Sequence, residues 1–76
     1  MPKIPVISGK EMLKYLLSYC CVLIRVKGSH HRLRNPKNNE LGTLPVHNAD
    51  LKIGTFTAVL RDLGIDLQDF IEFINM

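Results

Sequence analysis

The sequence predicts an α+β fold: one helix, a three-stranded antiparallel sheet, then one or two further helices, with the helices on one face of the sheet. Three observations carry this. A capping pattern, Ser8-Gly9-Lys10-Glu11, precedes apolar residues spaced by three and four. Residues 22–27 and 30–34 alternate as strands do, and the two residues between them begin with a glycine. Beyond a loop, apolar residues return to helical spacing in two sets with Gly64 between them.

The elements follow in order. The Ser8 hydroxyl and the Glu11 carboxylate can satisfy the first free amides of a helix, and Met12, Leu13, Leu16, Leu17 and Cys20 give that helix an apolar stripe. Gly28-Ser29 suits a type II′ turn, whose twist matches its flanking strands. Pairing across the turn sets Lys27 opposite His30, Val26 opposite His31, Arg25 opposite Arg32 and Ile24 opposite Leu33, with successive pairs on alternate faces. In that register Ile24, Val26 and Leu33 turn toward the helices. A polar loop, Asn35-Pro36-Lys37-Asn38-Asn39-Glu40, leads to a third strand, Gly42-Thr43-Leu44-Pro45-Val46-His47. Pro45 lacks an amide hydrogen, which points to an unpaired edge there. Phe56, Val59, Leu60 and Leu63 form the next helical stripe, ended by Gly64; Asp66 caps a short last helix bearing Leu67, Phe70, Ile71 and Ile74.

With 76 residues the chain reads as one domain spanning 1–76, without internal repeats or low-complexity tracts. A core of that size is barely sufficient, so a stable partner or an oligomer would help, and the oligomeric state stays open. A hydrophobic content of 46% excludes a disordered chain. The net charge of +3 is unevenly spread: five basic residues, two histidines and no acid lie between Arg25 and Lys37, while four acids and no base lie from Asp62 onward. The basic stretch suits a polyanion. Cys20 and Cys21 are adjacent, which rarely permits an ordinary disulfide, and no CxxC spacing signals zinc. Met1-Pro2-Lys3-Ile4-Pro5 lacks an apolar run of the signal-peptide type, and no segment reaches membrane-spanning length, so a cytoplasmic protein without membrane contact is expected.

The chemistry gathers around the turn. One face carries Arg25, Lys27, His30, Arg32 and Arg34, and like charges directly opposite each other repel, so Arg25 facing Arg32 implies a missing anion. Phosphate is the usual one, and an imidazole among cations can move protons near neutral pH. The plain alternative is a charged face that keeps the sheet solvated. His31 falls with Val26 and Leu33 in a packed or boundary position. His47 shares the alternation of Thr43 and Pro45; it is either a second acid–base group beside His30 or the partner of a loop carbonyl. A metal site formed by His30, His31 and His47 is disfavoured because adjacent strand residues point to opposite faces. Phe56 and Phe70 read as core rather than as base-stacking platforms.

Taken together, Ser8-Gly9-Lys10-Glu11, the run from Val22 through Gly28-Ser29-His30-His31, Leu44-Pro45-Val46-His47, Gly54-Thr55-Phe56 and Leu60-Arg61-Asp62-Leu63-Gly64-Ile65 resemble the HicA-type, or YcfA-like, toxins. The resemblance runs from Ser8 to about Phe70. It implies an mRNA-cleaving toxin of a type II toxin–antitoxin pair, with a fold similar to the double-stranded-RNA-binding domain, no cofactor, and a HicB-type antitoxin covering the active face. The family's catalytic histidine maps onto His30, the residue that strand pairing sets among the cations. Arg25, Lys27, Ser29, Arg32 and Arg34 are then the RNA-binding candidates, with His47 a possible second acid or base. Two departures stand out: Leu33 occupies a position that is often aromatic, and the loop Lys37-Asn38-Asn39-Glu40-Leu41-Gly42 is longer than the common form. Two rival functions fit the same composition: a non-catalytic small RNA-binding module, and a protein–protein adaptor that uses the acidic last helix.

Overall fold

A computed structural model describes residues 3–76; Met1 and Pro2, the start of the N-terminal stretch read above, lie outside the described residues. The chain runs α1 (Gly9–Tyr19), β1 (Val22–Lys27), β2 (His30–Asn35), β3 (Glu40–Pro45), α2 (Ile53–Asp62) and α3 (Leu67–Ile74). The strands form one antiparallel sheet in the order β1-β2-β3, which is the expected α+β arrangement with two helices after the sheet. The capping box is complete: the Glu11 amide donates to Ser8 Oγ at 3.1 Å, and the Ser8 amide donates to Glu11 Oε1 at 3.2 Å. Met12 and Leu16 of α1 are fully buried, whereas Leu17 lies outside the stripe and is exposed. At the end of α2, Gly64 takes φ +68°, the Ile65 amide donates to the Leu60 carbonyl at 2.9 Å and the Gly64 amide to the Arg61 carbonyl at 3.1 Å. That is a Schellman ending, which needs a residue free to adopt positive φ. Asp66 caps α3 by accepting the Asp69 amide at 3.0 Å. Tyr19 meets Phe70 and Phe73 edge-on, tying α1 to α3.

Gly28 has φ +59° and Ser29 is not among the residues of positive φ, the combination that a type II′ turn requires. Lys27 faces His30, Val26 faces His31 and Arg25 faces Arg32. The next expected pair, Ile24 with Leu33, does not form. A bulge between Leu23 and Arg25 sets Leu23 opposite Leu33 and Val22 opposite Arg34. Burial differs from expectation in the same strand: Leu33 is fully buried, but Ile24 and Val26 are 50% and 52% exposed. The reason is where the helices stand. α1 and α2 pack on β3, α3 packs on both of those helices, and β1 leans on β2.

β3 begins and ends two residues earlier than the sequence suggested, at Glu40 and Pro45 rather than Gly42 and His47. Asn39, with φ +61°, closes a tight loop in which the Asn38 and Asn39 amides both donate to the Asn35 carbonyl, and Glu40 pairs directly with Asn35. Asn35, read as part of the loop, is instead the buried last residue of β2. Its side-chain amide donates to the Leu63 carbonyl at 2.9 Å and its oxygen accepts the Lys37 amide at 3.0 Å. At the other end the Val46 amide donates to the Ser29 carbonyl at 2.7 Å, so the nitrogen of Pro45, one residue earlier, faces the free side of β3 where no donor is missed. α1 starts against that side. A Cβ built on Gly9 would overlap the Pro45 carbonyl oxygen, and the Lys10 amide donates to the His47 carbonyl at 3.4 Å. Among the described residues no helix is long and apolar enough to cross a membrane.

Candidate functional site

Pairing on both sides of β2 arranges the open face as three cross-strand rows: Lys27–His30–Pro45, Arg25–Arg32–Thr43 and Val22–Arg34–Leu41. A shallow cavity of about 180 Å³ lies over the first two rows, lined by Arg25, Lys27, His30, Arg32 and Thr43. Four residues singled out in the sequence thus come together. Thr43 was not singled out, because its place beside Arg32 depends on the register that the 36–39 turn sets. The only signal for it in the sequence was its alternation with Pro45.

The cavity lining contains three cations, one imidazole and one hydroxyl, and no carboxylate. Arg32 Nη1 donates to Thr43 Oγ1 at 3.1 Å, which orients the guanidinium while committing only one of its five donors. Arg25 sits directly opposite Arg32, so an anion bridging the two guanidinium groups replaces repulsion by bidentate hydrogen bonding. His30 is exposed on the same face.

The remaining candidates lie around this cavity rather than in its lining. Ser29 serves the turn: its carbonyl accepts the Val46 amide and lies 3.3 Å from His31 Nδ1. His31 is half-buried on the helix side, a boundary position. Arg34 stands one row beyond the cavity, where its Nη1 donates to Asn39 Oδ1 at 3.2 Å. His47 falls past the end of β3 and is exposed. Its backbone carbonyl holds the start of α1, and its ring does not line the cavity.

Cys20 and Cys21 are free thiols with sulfurs 3.8 Å apart. Burial, reinforced by the neighbouring Cys20, pushes the Cys21 thiol up to about 12, which makes it a poor nucleophile. Among the described residues no group of three or more His, Cys, Asp or Glu side chains is placed to hold a metal ion.

Fold and site together define a small α+β protein whose open sheet face presents a cationic cavity with one imidazole in its lining. A family model described as HicA toxin of bacterial toxin–antitoxin matches residues 9–65, three quarters of the chain, and the protein belongs to that family. It is therefore the toxin of a toxin–antitoxin pair, and its partner is an antitoxin. Comparison with curated proteins gives no significant match.

Proposed function

We propose that this toxin is an endoribonuclease that cleaves mRNA in the cytoplasm, with His30 as its general acid or base and a HicB-type antitoxin covering the open sheet face. The observation that carries the reading is the cavity itself: one imidazole beside Arg25, Lys27 and Arg32, with no carboxylate in the lining to neutralise them. RNA brings its own nucleophile, the 2′-hydroxyl. In the scheme His30 removes its proton as the oxygen attacks the neighbouring phosphorus, or protonates the departing 5′-oxygen; water serves the other position. Arg25, Lys27 and Arg32 hold the phosphate and stabilise the extra negative charge of the transition state. Ser29 and Arg34 contact the RNA on either side. His47, outside the cavity lining, takes no step.

One general acid–base group supplies about 10²- to 10⁴-fold. The resulting enzyme is slow, which suffices against an abundant substrate. The test is His30→Ala expressed without the antitoxin. The expected result is loss of growth arrest and of cleaved mRNA, with RNA affinity retained. Full growth arrest with undiminished cleavage overturns the assignment, and undiminished arrest with no cleavage in either protein makes the chain an RNA-binding module.

A further inference from the structure

The third row of the open face has a different character from the two that line the cavity. Arg34 stands between Val22 on β1 and Leu41 on β3. Those two aliphatic side chains are 44% and 42% exposed on either side of a guanidinium. The β1 bulge brings Val22 into this row, since without it Leu23 would face Arg34. The guanidinium is also held in place. Arg34 Nη1 donates to Asn39 Oδ1, and Asn39 is the one non-glycine residue of positive φ among the described residues, a conformation maintained by the tight 36–39 turn. Arg34 lies two residues along β2 from Arg32, about 7 Å away on a strand.

We propose that this row is a nucleobase subsite, which accepts the base of a nucleotide next to the phosphate held in the cavity. The proposal rests on the RNA-cleaving reading above and adds to it the part of the substrate that Arg34 recognises. The chemistry favours a base over a second phosphate. A phosphate gains nothing from Val22 and Leu41, whereas a base presents an apolar face to both and stacks on the plane of a guanidinium. A planar group already held by a hydrogen bond has less freedom left to lose on binding. Between the Arg32 and Arg34 rows the register holds only Leu23, Leu33 and Gly42, and its one acid, Glu40, pairs beyond Arg34 with Asn35, so the sugar–phosphate chain meets no carboxylate between the two subsites.

Arg34→Lys separates the two roles, because it keeps the positive charge and removes the plane. The probes are a fluorescein-labelled 2′-O-methyl oligouridylate, which lacks the free 2′-hydroxyl and cannot be cut, and an abasic sugar–phosphate chain of the same length. Both are titrated by anisotropy against the full chain. The wild type is expected to bind the base-bearing probe about tenfold more tightly than the abasic one. Arg34→Lys and Val22→Thr/Leu41→Thr are expected to abolish most of that difference, the Val22→Thr/Leu41→Thr protein keeping its abasic affinity within about twofold. Arg25→Ala is expected to weaken both probes equally. If the wild type binds both probes alike, or if Arg34→Lys retains the full preference for the base-bearing probe, the subsite is wrong and the phosphate cavity stands. If the wild type binds neither probe, the RNA reading falls and the subsite falls with it.

Discussion

β1 and β3 both pair with β2 along most of its length, yet every residue of β1 is exposed whereas Gly42 and Leu44 of β3 are buried beneath the helices. The two strands have similar alternation and lie on either side of the same neighbour; they differ in what the connections bring over them. β3 leads through residues 46–52 to α2, which packs back on it, and α1 begins at its free edge beside Pro45. β1 has only the sheet. The helix-side hydrophobic energy of the fold is therefore concentrated on β2 and β3. The cationic face, by contrast, draws Arg25 and Lys27 from the uncovered strand and Arg32, His30 and Thr43 from the other two. A site spanning both can change its β1 half with little penalty to the core.

Equivalent changes on the two sides should therefore differ sharply. Leu44 is fully buried, and Leu44→Ala removes packing that its surroundings cannot refill, at about 2–5 kcal/mol. Val26 faces the same side of the sheet but is half-exposed, so the matching truncation Val26→Ala is expected to cost about 1 kcal/mol or less. Urea unfolding of the two variants measures both. Comparable losses would mean that β1 is covered as β3 is.

Much of this molecule was readable in its sequence where the cause is local. The capping box at Ser8, the Gly28-Ser29 turn, the Gly64 stop and the Asp66 cap each depend on residues within one turn of chain, and each is present. His30, Lys27, Arg25 and Arg32 converge because a two-residue turn fixes the register of the pairs nearest to it. That control fades with distance. Three pairs from the turn the bulge at Ile24 intervenes, and alternation carries no mark of it. The burial of β1 is not legible in the sequence, because Val26 and Leu44 both read as alternating apolar positions and only the placement of helices joined through distant loops distinguishes them. Asn35 reads as a turn residue because it precedes Pro36, while its burial depends on the Leu63 carbonyl, 28 residues away. His47 remained open between two roles for the same reason, since the end of β3 is set by the 36–39 turn and by the start of α1.

A smaller contrast comes from two glycines in the first turns of helices. At a helix start Gly→Ala ordinarily helps, by about 0.5–1 kcal/mol, because alanine loses less backbone freedom on folding. Gly54 in α2 has nothing within 4 Å of an added Cβ, and Gly54→Ala is expected to raise the urea midpoint. Gly9 in α1 has the Pro45 carbonyl in the way, and that atom is backbone. Gly9→Ala must push α1 off the edge of β3, at about 1–3 kcal/mol. Opposite signs for the two substitutions confirm that α1 is seated on β3; two midpoints shifted upward would show a looser contact than the one described.

The last contrast lies at the point where the chain leaves the core for β1. Cys21 is 5% exposed and its amide donates to the Leu16 carbonyl, while the next residue, Val22, is already exposed. Burial first, and Cys20 second, raise its thiol from an ordinary value of 9.0 to about 12. The unfolded chain therefore releases this proton at a lower pH than the folded chain does. The contribution to stability is complete below about 9 and is lost as pH rises toward 12. Cys21→Ala removes that dependence, so its stability should decline less steeply than the wild type between pH 8 and pH 11, even from a lower starting value. Tyr19, raised in the same direction by burial and then by Asp69, is present in both proteins, and only the Cys21 contribution to its shift, the smallest of its causes, goes with the thiol. Parallel decline of the two proteins would mean that the Cys21 thiol meets solvent as β1 does, and would move the boundary between the covered and uncovered halves of the sheet back toward α1.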